Sequence, residues 1–493
     1  MNHSLYRLLR ARYGQPVDSI SRRRFVRQSL AAASGLLLSG SNTYARRPGE
    51  TGRRVIIIGA GFAGLACAYE LHAAGYQTVV LEARDRIGGR VHTLTDVVPR
   101  KTVEAGGEFI GSNHPTWLAY AKNFHLPLVE IPEPRDLGSP VVIDGKRLSK
   151  LAVIALFQKI EQIYGKITDA ARPIDADAPW TAPDAQALDE LSMSAWLARQ
   201  DINPIARRAI EAEFASYSGV PTERESFLGM LTCVKGGGLE KYWTENEVYR
   251  CVGGNQQLAR RLAEKIGADA VQLRSPVESV RVARAGVKVT CQAGKTFEAD
   301  DVVLAIPPST WGAIRFEPLL PDVLRPQMGH NIKFLISLRD ACWEKSDLPP
   351  SSMSDGPIGF TWSATAGQSG GPEQVLVAFA GAAAADNFSR AKPDERDRTM
   401  KSEVGARYPG FKESFVRSQF IDWPGQKWTQ GSYSTPAPGQ VTRQGPILAR
   451  GLDRLHFAGE HACLKFVGFM EGALNSGATV ARSLATRDGV VSS

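Results

Sequence analysis

The stretch Val55-Ile56-Ile57-Ile58-Gly59-Ala60-Gly61-Phe62-Ala63-Gly64 decides the fold. Val55–Ile58 is an unbroken apolar run, the pattern of a parallel strand buried on both faces. A G-x-G-x-x-G turn follows at once. An Ala-rich helix is then expected from Leu65 to about Ala74, stopped by Gly75. A second strand, Thr78-Val79-Val80-Leu81, ends in Glu82. Gly59 permits the tight turn, Gly61 lets the backbone approach a pyrophosphate, and Gly64 lets helix and strand pack closely. The helix N-terminus offers free N–H groups to the phosphates. Glu82 stands 18 residues after Gly64, where an acid can bind a ribose hydroxyl. Strand, turn, helix, strand and acid in register predict a Rossmann-like dinucleotide-binding unit in an α/β protein.

Glu82 continues as Ala83-Arg84-Asp85-Arg86-Ile87-Gly88-Gly89-Arg90. Glycines admit a phosphate closely, and Arg offers several donors to its oxygens. This E-A-R-x-R-x-G-G-R stretch resembles the flavin amine oxidase family, which includes monoamine, polyamine and L-amino acid oxidases. Further segments match in the same order. Glu104-Ala105-Gly106-Gly107-Glu108 resembles the stretch passing the flavin ring, and Val252–Leu258 the G-G-x-x-x-L helix start. Ser275–Val280 resembles the strand whose Val277 backbone meets adenine, and Asp301–Pro308 the strand and turn returning from the cofactor domain. Phe457-Ala458-Gly459-Glu460 and Gly468-Phe469-Met470-Glu471-Gly472-Ala473 resemble the family's F-A-G-E and G-[YF]-M-E-G-A.

The resemblance implies an FAD enzyme. Arg84, Gly89 and Arg90 would lie along the pyrophosphate, Gly106 and Gly107 near the ring, Gly459 and Glu460 at the ribityl-phosphate end, and the Phe469–Met470 peptide at the pyrimidine side. Donors there stabilise charge on the reduced ring. Lys333, five residues after Met328, matches the lysine that holds a water at flavin N5; a solvent-facing edge-strand lysine is the alternative. Tyr433 and Phe469 match two rings that sandwich the substrate amine and favour its neutral form. Trp423 and Phe466 are further candidates for lining the site. Ser432 stands where covalently flavinylated relatives carry Cys, so the FAD is expected to be non-covalent.

The implied reaction is oxidative deamination of a primary amine or L-amino acid by hydride transfer to flavin N5, with oxygen as acceptor and hydrogen peroxide as product. Such chemistry needs a dry, positioning slot more than an acid–base constellation. No Arg occurs between Glu104 and Leu126 to pair with a substrate carboxylate; Arg250 or a residue of 131–244 could supply that group. Alternatives are an amine dehydrogenase, amino acid monooxygenase or desaturase of the same fold, or an exported FAD-binding protein without catalysis.

The family's discontinuous architecture gives an FAD-binding domain from 52–130, 245–320 and 430–490, and an α+β substrate-binding domain from 131–244 and 321–429. Helices are expected over Leu151–Ile163 and Ala206–Ser216, and a strand over 331–338.

The chain has 493 residues, 22% charged, with a formal net charge of +8. Seven Arg and one acid in the first 45 residues account for most of that charge. The remaining 52 basic and 50 acidic residues give no electrostatic case for nucleic acid. Ser21-Arg22-Arg23-Arg24-Phe25-Val26-Arg27, the mild apolar stretch Leu30–Leu38 and the small residue Ala45 read as a twin-arginine signal over residues 1–45. Periplasmic or secreted location through the twin-arginine machinery follows as an expectation. The six scattered cysteines form no C-x-x-C and no zinc spacing, so isolated thiols and no metal site are expected. A homodimer is left open.

Overall fold

A computed structural model describes residues 5–14, 36–38, 49–132 and 141–491. The strand Arg54–Ile58 is the middle of a five-stranded parallel sheet. Gln77–Leu81 and then Val271–Gln272 lie on one side of it, Asp301–Leu304 and then Leu455–Phe457 on the other. Ile57 pairs with Val80 and Val303, and both faces are covered, which explains the unbroken apolar run.

The helix after the turn spans Phe62–Ala73 and so begins three residues before the sequence pattern suggests, with Gly61 at its N-cap. It is buried nearly all round. The C-terminal helix Met470–Arg487 lies against it so closely that a Cβ on Gly477 would stand 2.2 Å from the Ala63 carbonyl oxygen. The turn is therefore clamped between a sheet and two helices.

The second large sheet has seven strands, drawn from residues 141–147 and 331–422. Its strand Asn331–Leu338 runs between Gln374–Gly381 and Phe415–Asp422, antiparallel to both. Alternation sends Ile332, Phe334 and Ile336 into one apolar cluster and Leu335 into another on the opposite face. Lys333 shares that opposite face, beside Phe379 and Ile421 on the neighbouring strands. The edge-strand alternative for Lys333 is thus excluded: the strand is interior and every residue of it is buried.

Pro204–Ser218 packs on this sheet and Lys150–Ala171 packs on that helix, both longer than their sequence-based bounds. Ser149 and Asn203 cap them through their side chains. Leu5–Tyr13 forms a helix whose Tyr6 and Leu9 are buried in the main core, and Leu37 and Leu38 are buried beside the dinucleotide-type unit. Arg22, Arg23 and Ala45 lie outside the described residues.

Candidate active site

An elongated cavity, about 1760 Å³ of space free of protein atoms and partly open to solvent, runs from the C-terminal ends of the parallel strands to the face of the seven-stranded sheet. Gly59, Gly61, Glu82, Arg84, Gly89 and Arg90 line it near the turn, and Val277 lies in the same wall. Gly106, Gly107, Gly459, Glu460 and Met470 follow, then Lys333, Tyr433 and Phe469. Of the sequence-derived cofactor residues only Gly64 does not line it. Its role is packing, since a Cβ there would stand 2.0 Å from the Gly59 carbonyl oxygen.

The phosphate end has the features a dinucleotide needs. The Phe62–Ala73 helix has no side-chain cap and no acid in its first turn, so its N–H groups face the cavity. A Cβ on Gly61 would meet nothing closer than 4.0 Å, which leaves its backbone open to a ligand. Both Glu82 carboxylate oxygens accept backbone N–H groups, from Ala60 and Arg84 at 2.8 Å each. The acid expected at the ribose is thus fixed by the turn it follows. Arg84 reaches Thr429 at 2.5 Å.

Arg90 Nη1 donates to Glu460 at 2.8 Å and to the Ser432 carbonyl at 2.9 Å. Glu460 also accepts from the N–H groups of Ser434 and Gly468. Burial opposes its charge, but Arg90 and these bonds outweigh burial and hold the carboxyl below the usual range. This bracket ties three distant segments across the cavity. His461 lines the same wall with both ring nitrogens unpartnered and 2% of its surface exposed. Burial lowers it to about 4, so it is a neutral imidazole awaiting a polar ligand. An uncapped helix, an open glycine and an orphaned buried imidazole fit a bound FAD. No cysteine lines the cavity among the described residues, and Ser432 donates to Gly329 and Asn331.

At the other end Lys333 Nζ donates to the carbonyls of Gly106 (2.8 Å) and Glu104 (3.3 Å) and to Glu108 Oε2 (3.1 Å). Glu108 Oε1 accepts from Arg250 at 2.8 Å and from the Trp362 indole at 3.0 Å. Burial opposes ionisation of Glu108, but Lys333 and Arg250 outweigh it and depress its pKa. Glu104, nearby, is raised to about 7 by burial, against bonds from Asn255 and Thr93. Arg250 also donates to the Ser363 carbonyl and stacks on Phe109 at 5.1 Å.

Tyr433 and Phe469 both line this end and make no ring contact with one another among the described residues. The Tyr433 hydroxyl donates to the Tyr217 carbonyl, and His114 packs edge-on to Phe469 at 5.4 Å. Trp423 lines the cavity and bonds to the Ala105 carbonyl; Phe466 does not line it and packs in the core.

Sequence reasoning did not single out Phe109, Trp362, Phe379 or His461 as site residues, nor the role of Glu108. Glu108 and His461 carried a local signal, since each directly follows a motif residue. Trp362 and Phe379 carried none, because their positions depend on strand pairing.

Comparison with known proteins gives consistent findings. A family model described as flavin containing amine oxidoreductase matches residues 62–485. Human flavin-containing amine oxidase B is 30% identical over 450 residues, covering 87% of this chain and 85% of the relative. A probable flavin-containing monoamine oxidase A of Dictyostelium discoideum is 28% identical over 461 residues, covering 87% and 97%. Among solved structures, putrescine oxidase bound to putrescine superimposes with a TM-score of 0.80 at 26% identity, covering 88% of this chain and 99% of that one. Cyclohexylamine oxidase from Brevibacterium oxydans IH-35A gives 0.79 at 25% identity with the same coverage.

Proposed function

The chain belongs to the flavin-containing amine oxidoreductase family, and from that premise we propose that it is an FAD-dependent oxidase of a primary amine. The observation that carries this reading is the convergence of Lys333, Tyr433 and Phe469 at one end of a cavity whose other end fits a dinucleotide. Bound FAD supplies a hydride acceptor that oxygen restores, giving hydrogen peroxide and an imine that hydrolyses to a carbonyl product and ammonia. The protein's part is positioning and exclusion of water. Tyr433 and Phe469 hold the amine between apolar rings, which favours its neutral form. Lys333, anchored by Glu108, keeps a donor at the reacting end.

An amine suits the site better than an L-amino acid. Each Arg and Lys lining the cavity already has a protein acceptor: Arg84 has Thr429, Arg90 has Glu460 and Lys333 has Glu108. Arg250 does not line the cavity; it donates to Glu108 and Ser363 through Nη2, and its Nε and Nη1 are buried without a hydrogen-bond partner. A substrate carboxylate would therefore have to share a lining cation with its present acceptor. We further propose twin-arginine export of the folded, flavin-loaded protein, from the Arg22–Arg23 motif.

The test is aerobic turnover of primary amines and their α-carboxylated counterparts, with peroxide, ammonia and carbonyl product measured together. The reading expects equal amounts of all three from amines, with lower kcat/KM for the amino acids. Product without peroxide would identify a dehydrogenase instead.

A further inference from the structure

Two buried cations share one buried carboxylate at the reacting end of the cavity. Lys333 holds one oxygen of Glu108 at 3.1 Å and Arg250 the other at 2.8 Å. The Trp362 indole N–H adds a neutral donor to the oxygen that Arg250 holds, at 3.0 Å. With the carbonyls of Glu104 and Gly106, Lys333 meets three acceptors, which match the three donors of an ammonium. The neighbouring carboxyls of Glu104 and Glu247 are pushed up by burial to about 7 and about 8. At pH 6 Glu108 therefore carries the negative charge of the cluster, and one positive charge is left in excess.

The two cations stand differently toward the cavity. Lys333, Glu108, Phe109 and Trp362 line it, whereas Arg250 does not. Arg250 lies on the strand Tyr249–Cys251, and its guanidinium carbon is 5.1 Å from the centre of the Phe109 ring. It is 7% exposed, and its Nε and Nη1 are buried without a hydrogen-bond partner. A half-satisfied buried guanidinium is costly to the fold. Since Arg250 touches neither substrate nor cofactor space, what it brings to the cavity is its charge, which acts over several ångströms in a poorly screened interior.

We propose that Arg250 and Glu108 are positioning residues that maintain this excess positive charge at the reacting end, and that the charge of the whole cluster, not Lys333 alone, sets how strongly the bound flavin is held in its reduced, negatively charged form. Fixed charge near a cofactor ring tunes its electron affinity in this way. The inference goes beyond the choice of substrate: it concerns the FAD and holds whichever amine is oxidised. It also makes a prediction of sign. Loss of Arg250 removes a positive charge and loss of Glu108 removes a negative one, so the two must act in opposite directions, and loss of both must cancel.

The experiment measures the ratio of reduced to oxidised flavin against a redox dye, anaerobically at pH 6, in the flavin-loaded full chain. The chains are wild type, Arg250→Met, Glu108→Gln and the double variant. Arg250→Met is expected to shift the ratio about tenfold toward oxidised flavin, or about 30 mV for a two-electron couple. Glu108→Gln is expected to shift it by a similar factor toward reduced flavin, and the double variant to return to within about threefold of wild type. A merely structural role would move both single variants the same way and the double variant at least as far. Shifts of the same sign, no shift in Arg250→Met, or a double variant that stays displaced overturns the proposal. Should Glu108→Gln fail to fold, Arg250→Met and the double variant decide it, because removing both partners of a buried pair leaves no orphaned charge between them. Reduction of the wild-type flavin by amines is read in a separate sample, and its failure would overturn the amine oxidase reading alone.

Discussion

Lys333 Nζ lies 3.1 Å from Glu108 Oε2, and both side chains are buried at the reacting end of the cavity. One carboxylate thus serves two cations, since Arg250 holds its other oxygen. Lys333→Met leaves the Glu108–Arg250 pair intact. It is expected to lower turnover by at least about tenfold, a rate loss equal to roughly 1.4 kcal/mol, with little loss of Tm. Stopped-flow measurement of flavin reduction and reoxidation separates the two half-reactions. Near wild-type rates in both would remove Lys333 from the mechanism. Glu108→Gln instead leaves two buried cations facing a neutral amide and is expected to cost about 3 kcal/mol of stability or more, read by denaturant unfolding.

Glu225 gives a pH signature. Its folded pKa of about 8 lies above the ordinary carboxyl range because of burial. The stability tied to its neutral form is therefore complete at pH 4 and is lost as pH rises through about 8. Glu225→Gln removes that loss. The variant is expected to exceed wild type in Tm at pH 8.5 and to show no such advantage at pH 5. Equal Tm differences at the two pH values would contradict the buried, uncompensated carboxyl.

His461 tests the cofactor end. Its ring nitrogens have no protein partner although they are buried in the cavity wall. His461→Ala is expected to retain less FAD after dialysis, seen as a lower ratio of flavin to protein absorbance, and His461→Gln to restore part of it. Because burial lowers the ring to about 4, FAD retention by the wild type should be flat between pH 5.5 and 8. Full flavin content in His461→Ala would remove the residue from the cofactor site.

Much of this was legible in the sequence because it is local. The apolar run, turn, helix and acid of 55–82 lie within one supersecondary unit, and Lys333 lies in a recognisable strand. Period-2 alternation then sets the face on which Lys333 stands. What was not legible depends on pairing between distant segments. Phe379 flanks Lys333 because Gln374–Gly381 lies next to Asn331–Leu338, and Trp362 joins them through the following strand. Arg90 and Glu460 meet across 370 residues. The helix Leu5–Tyr13 was set aside because its charge and position suited a leader, and charge patterning does not reveal that Tyr6 and Arg7 find buried partners.

Export has its own test. Replacing both Arg22 and Arg23 by Lys is expected to retain the folded, yellow protein in the cytoplasm, as followed by fractionation and flavin absorbance. Normal export of that double variant would rule out the twin-arginine route.

The most direct measurement is anaerobic titration of the flavin-loaded protein with primary amines while the oxidised flavin band near 450 nm is followed, before air is admitted. Amines that lack a carboxylate are expected to bleach the band, and aeration to restore it with one equivalent of peroxide. A flavin that stays oxidised with every amine offered would contradict the amine oxidase reading.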